Sequence, residues 1–117
     1  MTTARTTINA SQDNGWKPLD WLSYERVEAD PDIHTLDVAL DEPGVRQAGY
    51  ATAQPSTFDI VMPHTEILYL IAGSFTVEYE DGTAVTVRAG GSGYFEKGAK
   101  LRWTIHEPMK EFFVLLG

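Results

Sequence analysis

Apolar positions in this chain recur at every second residue, in short runs. Ser74-Phe75-Thr76-Val77-Glu78-Tyr79 alternates strictly, and so do Ala84-Val85-Thr86-Val87-Arg88 and Lys100-Leu101-Arg102-Trp103-Thr104-Ile105. Successive strand side chains point to opposite faces, so this period predicts strands with one buried face. Ile33 to Leu40, Val45 to Ala53, Thr57 to Met62, Tyr94-Phe95 and Lys110 to Leu116 read as further strands. Turn residues punctuate them at Asp41-Glu42-Pro43-Gly44, Gln54-Pro55-Ser56, Ala89 to Gly93, Glu96-Lys97-Gly98 and Glu107-Pro108. Glu80-Asp81-Gly82-Thr83 reads as an Asp-Gly hairpin turn, with positive φ at both Asp81 and Gly82. No segment sustains a helical period. About nine short strands with regular turns predict an all-β sandwich or barrel.

One stretch stands apart. Met62-Pro63-His64-Thr65-Glu66-Ile67-Leu68-Tyr69-Leu70-Ile71-Ala72-Gly73 sets an acid at the start of an apolar strand and ends in a glycine, read here as a turn. Alternation puts Glu66, Leu68 and Leu70 on one face. If that face looks into a closed sheet, an acid points at the interior, which is costly unless it is paired, neutral or functional.

Composition narrows the setting. The 117 residues suffice for one core. Residues 1–15, rich in Thr, Ser, Asn and Gln, read as a mobile arm, and 16–117 as a single domain. Trp16 and Trp21 are expected to pack over the barrel or across an interface. A net charge of −8 repels phosphate backbones and argues against nucleic acid as a partner. The chain has no cysteine, hence no disulfide and no thiolate chemistry. No apolar run approaches the roughly 18 residues of a membrane span. Met1 to Thr7 leads into no apolar segment, so a cytoplasmic location without membrane contact is expected. Acids crowd residues 20–59 and bases residues 88–110. That asymmetry reads either as two solvated faces or as self-association of opposite halves.

The spacing of Glu66, Gly73, the Asp-Gly hairpin, Gly90 and Gly98 resembles the two motifs of the cupin superfamily. The nearer likeness is to its single-domain EutQ-like and ureidoglycine-aminohydrolase-like branch. Gly90 to Trp103 is similar to that branch's second motif, with Glu96 where proline is usual. Trp103-Thr104-Ile105-His106-Glu107-Pro108 also looks like it, and the resemblance spans roughly residues 45–116. It implies a double-stranded β-helix, the cupin jelly-roll barrel, and a homodimer, since paired copies would cover the exposed sheet edges.

The resemblance also implies a metal centre of two histidines and a glutamate from the first motif and a histidine from the second. Those positions fall at Ile60, Met62, Glu66 and Leu101, so only the glutamate survives. No metal cofactor is therefore expected. The fallback is one divalent ion on His64 and Glu66, two apart on a strand, with His106 or His34 supplying more. His106 has the wrong parity with Leu101, Trp103 and Ile105 for that role. Glu111 departs from the branch too, standing where its relatives usually carry a basic residue.

Glu66 reads either as a satisfied buried acid or as a proton-active group, the candidate catalytic residue. Tyr50, Met62, His64, Glu66, Tyr79, Leu101 and Trp103 are the candidate ligand-binding set, with Phe75 another plausible wall by parity. Any one of these aromatics reads equally as plain core. Two functions stay open. One is a metal-free cupin that binds a small polar or cationic metabolite in the barrel. The other is an enzyme, isomerase, lyase or amidohydrolase-like, acting on a small nitrogenous or sugar-like metabolite through Glu66, with or without a metal at His64 and Glu66.

Overall fold

The computed structural model describes residues 7–117. Nine strands and no helix make up the regular structure of these residues: β1 (Lys17–Pro18), β2 (Glu25–Glu28), β3 (His34–Glu42), β4 (Val45–Ala53), β5 (Ser56–Val61), β6 (Glu66–Tyr79), β7 (Ala84–Arg88), β8 (Ser92–Phe95) and β9 (Lys100–Leu116). Among the described residues, no helix is long and apolar enough to cross a membrane.

The long strands β6 and β9 pair antiparallel along their lengths and form the spine. β9 offers its first half to β5 and its second half to β4. β6 offers its first residues to β8 and its last to β7. β3 and β1 extend the sheet beyond β4, and β2 extends it beyond β5. One all-antiparallel sheet therefore curls into two facing halves, with β6 and β9 belonging to both. Inward positions follow the period-two pattern: Phe75 and Val77 on β6, Leu101, Trp103 and Ile105 on β9, and Phe58 and Ile60 on β5 are all buried. Phe75, Trp103, Phe95 and Phe58 stack at the centre, with the Phe75 and Trp103 rings 4.6 Å apart.

Two expected turns prove to be bends inside continuous strands. Gly73 does not end a strand, and neither does Glu107-Pro108: β6 passes through Gly73 and β9 through Pro108 at the corner between the halves. Ala72 pairs with Lys110 and Ser74 with Glu107, so Gly73 alone faces Pro108 and Met109. That bulge is how a strand changes halves, and it is where a proline without an N–H is tolerated. The local residues did read as turn formers; pairing along the whole spine overrides them.

The hairpin at residues 80–83 forms as read, but with different dihedrals. Gly82 has φ of 89°, whereas Asp81 is not among the residues with positive φ. Tyr79 N–H donates to Thr83 O and Gly82 N–H to Tyr79 O, the pattern of a longer loop with glycine at its left-handed position. Asp81 is occupied otherwise, accepting from the Thr83 amide and hydroxyl. The short strands β1 and β2 carry no apolar alternation, and only their partners β3 and β5 define them. Residues 1–6 of the expected arm lie outside the described residues. In the remainder, the Trp16 indole donates to Gln12 O, and the Lys110 ammonium, bonded to Ala10 O, lies over the Trp16 ring.

Candidate functional site

The barrel encloses a cavity of about 90 Å³ between the two halves. Ile60, Met62, Phe113 and Leu115 give it apolar walls, and Glu66 and Glu111 give it two carboxyl groups. Both acids arrive by alternation. Glu66 opens β6 and shares the face of Leu68 and Leu70, while Glu111 sits on β9 between inward Met109 and Phe113. Glu66 as a residue keeps partial exposure at the barrel mouth, yet loss of water is the main influence on its carboxyl group.

The two carboxyls lie within hydrogen-bonding reach of each other. Burial pushes Glu66 up from 4.5 to about 7, and the bond from Glu111 partly offsets that rise. Glu111 is pushed well above the ordinary carboxyl range, by burial first and then by the charge of Glu66. Like charges this close cannot both ionise cheaply. The pair therefore holds a proton to higher pH than two ordinary carboxyls would.

The segment joining β1 to β2 completes part of the wall. Leu19, Trp21 and Leu22, from the segment joining β1 to β2, line the cavity. The Trp21 indole donates to Gln47 Oε1 at 3.2 Å, and the Arg46 guanidinium lies over its ring at 4.7 Å. Gln47 is itself buried and donates to Asp37 Oδ1 at 2.7 Å.

Of the candidate ligand-binding set, Met62, Glu66 and Trp103 stand on the cavity wall, together with Glu111. The others do not line it. Tyr50 packs against Phe112 on the opposite face of β4 from Ala51. Leu101 is buried core, and Tyr79 borders an open outer groove of about 710 Å³ beside Asp59 and Arg102. His64 sits edge-on to Trp21 with ring centroids 6.0 Å apart. The remaining histidines are elsewhere: His34 bonds to Asp32 O, and His106 bonds to Thr76 Oγ1 on an exposed face. Glu111, Gln47 and Trp21 were missed as site residues. For Glu111 the signal was present, in the alternation of Met109, Glu111, Phe113 and Leu115.

A closed jelly-roll barrel with an acid from its long inner strand on the cavity wall defines a cupin. The chain belongs to the EutQ-like cupin domain family, whose model matches residues 40–113. Among solved structures it is similar to the EutQ protein of Clostridium difficile, at 21% identity over 76% of this chain and 75% of that one, with a TM-score of 0.64. A DUF861 family protein from Thermotoga maritima is 28% identical over 58% of this chain and 77% of that one, with a TM-score of 0.56. Ectoine synthase from P. lautus is 16% identical over 79% of this chain and 68% of that one, with a TM-score of 0.63. The likenesses to the EutQ protein and to ectoine synthase bear on the fold alone. Among curated proteins none matches the chain.

The donor set does not fit the divalent ion that cupins commonly hold. The three positions that the resemblance would give to histidine ligands hold Ile60, Met62 and Leu101, all buried and apolar. Among the described residues, no three His, Asp or Glu side chains gather to hold a metal ion. Two carboxyls without an imidazole fall short of the three or four converging ligands such an ion takes.

Proposed function

We propose that this cytoplasmic cupin binds a small polar or cationic metabolite inside its barrel, without the usual metal. One observation carries the reading: the Glu66–Glu111 carboxyl pair on the wall of an otherwise apolar cavity. Stability alone would favour apolar side chains there, since removing buried charge is often neutral or stabilising. Paired acids in an apolar cleft are instead what fixes the polar head of a ligand. A thermal-shift screen over small amines, amides, alcohols and organic acids tests this. A ligand at about 100 times its Kd is expected to add roughly 2.7 kcal/mol of stability. That gain should vanish in Glu66→Gln and Glu111→Gln. Hits that survive both substitutions would place binding elsewhere and overturn the reading.

A second reading has its own support. A carboxylate titrating at about 7 beside a protonated acid is poised to move a proton on a bound molecule, as isomerase or lyase chemistry requires. A hit that wild type alters chemically, and that Glu66→Gln binds unaltered, would decide for catalysis.

A homodimer is proposed as well. Ile67, Tyr69 and Ile71 on the outer face of β6 and Tyr94 on the edge strand β8 form a contiguous apolar surface, with Tyr69 49% and Tyr94 58% exposed. Patches of this kind mark association surfaces. Light scattering should give twice the 13.0 kDa chain mass for wild type and the single mass for Tyr69→Asp. A wild-type monomer at tens of micromolar would end that proposal.

A further inference from the structure

Backbone pairing fixes most of the cavity wall, because most of its residues stand on strands. Trp21 is different. It lies between β1 and β2, outside any strand, and lines the cavity beside Gln47 and Thr35. Side chains hold it there. The Arg46 guanidinium lies over its ring at 4.7 Å, and His64 meets the ring edge-on at 6.0 Å. A cation over a ring face leaves the ring free to turn in its own plane. The directional contact is the bond that the Trp21 indole donates to Gln47 Oε1, at 3.2 Å.

Gln47 is only 2% exposed, and both polar atoms of its side chain have partners. Its Nε2 donates to Asp37 Oδ1 at 2.7 Å and to Thr35 Oγ1 at 3.4 Å. Thr35 and Asp37 are two apart on β3 and so share a face. Lys17 pairs with the other oxygen of Asp37 at 3.7 Å. This chain of bonds has one consistent polarity. A carboxylate only accepts and an indole N–H only donates, so an amide between them turns its nitrogen to Asp37 and its oxygen to Trp21.

We infer that Gln47 is a positioning residue for the cavity: locked by Asp37 in one amide orientation, it fixes the Trp21 ring as a wall and so limits the length of ligand the barrel admits. The inference rests on the reading that the barrel binds a small polar molecule, and adds what selects that molecule by size. A wall held by one directional bond shifts when the bond is lost, whereas walls held by strand pairing do not. The cavity of about 90 Å³ is smaller than the roughly 150 Å³ that accommodates benzene. A six-carbon chain is therefore excluded while Trp21 stays in place.

The test compares ¹⁵N-labelled full-length wild type with two variants. Gln47→Met keeps the length of the side chain and removes its hydrogen bonds; Gln47→Leu takes its place if that variant does not fold. In Gln47→Glu/Asp37→Asn the carboxylate moves to position 47, where it accepts from the indole and from the new amide, so the bonds are rebuilt and the charge is conserved. Hydrogen exchange of the Trp21 indole should be about tenfold faster in Gln47→Met and return to about the wild-type rate in the double variant. The Trp16 and Trp103 indoles should keep their rates. Calorimetric titration with propylamine and hexylamine supplies the second readout. Wild type and the double variant should favour propylamine about tenfold, and Gln47→Met should lose most of that preference. An unchanged Trp21 rate in Gln47→Met, no rescue in the double variant, or a freed Trp21 with the wild-type size preference overturns the inference while barrel binding stands. No binding of either amine by wild type takes down the underlying reading and the size limit with it, and the exchange rates still decide what holds Trp21.

Discussion

Raising the pH from about 5 to about 8 should lower the melting temperature of the wild-type protein by on the order of 10 °C more than that of a Glu66→Gln/Glu111→Gln variant. In the unfolded chain both carboxyls titrate near their ordinary value of 4.5, whereas in the fold burial pushes Glu66 up to about 7 and Glu111 well above 4.5. Between those limits the folded state binds more protons than the unfolded one, so stability falls as pH rises. The contribution is fully present below the unfolded value and is lost as pH climbs through the folded one. For Glu66 alone, the rise from 4.5 to about 7 corresponds to roughly 3 kcal/mol. At about 4 °C per kcal/mol for a domain of this size, that gives the stated fall. The net charge of −8 adds a background slope, but it is nearly common to both proteins and largely cancels in the difference. The amide pair keeps the shape and removes the titration. Equal slopes in the two melting series would show that the carboxyls are not coupled in a dry site.

The second large effect is mechanical. Gly73→Ala should destabilise the fold by about 3 kcal/mol or more, while Gly82→Ala should cost about 1 kcal/mol. The two glycines have nearly the same backbone, with φ of 87° and 89°. What separates them is space. A Cβ on Gly73 would stand 2.5 Å from Pro108 O and 2.8 Å from Met109 Cα, whereas nothing lies within 4 Å of one on Gly82. The Gly73 contacts are backbone at the corner where β6 and β9 change halves, so relief means opening the spine. Urea unfolding of both variants measures the contrast. Costs equal within about 0.5 kcal/mol would mean that the corner yields freely.

The same corner lies along β9 between Trp103 and Glu111, both of which line the cavity. The position of Trp21 depends on similar distant contacts. Trp21 is held by Gln47 and Arg46, both on β4, and neither contact follows from the residues around Trp21.

The sequence by itself determined the strands β3 to β9, most of their inward positions and the spacing that marks a cupin barrel. Each of these depends on period-two alternation or on glycine and proline chemistry, which act over a few residues. The apolar residues Ile60, Met62 and Leu101, at the positions the resemblance assigns to metal ligands, could likewise be read one by one. Only the tertiary structure decided that Gly73 and Pro108 are bends and not ends, because pairing along a whole spine outweighs local turn preference. Only it decided, too, that the acid on β6 has a partner. Glu66 lies opposite Leu115 and Glu111 opposite Leu70, so register alone does not join them. Their carboxyls meet because the sheet curls, and curvature is a property of the closed barrel and not of any one strand.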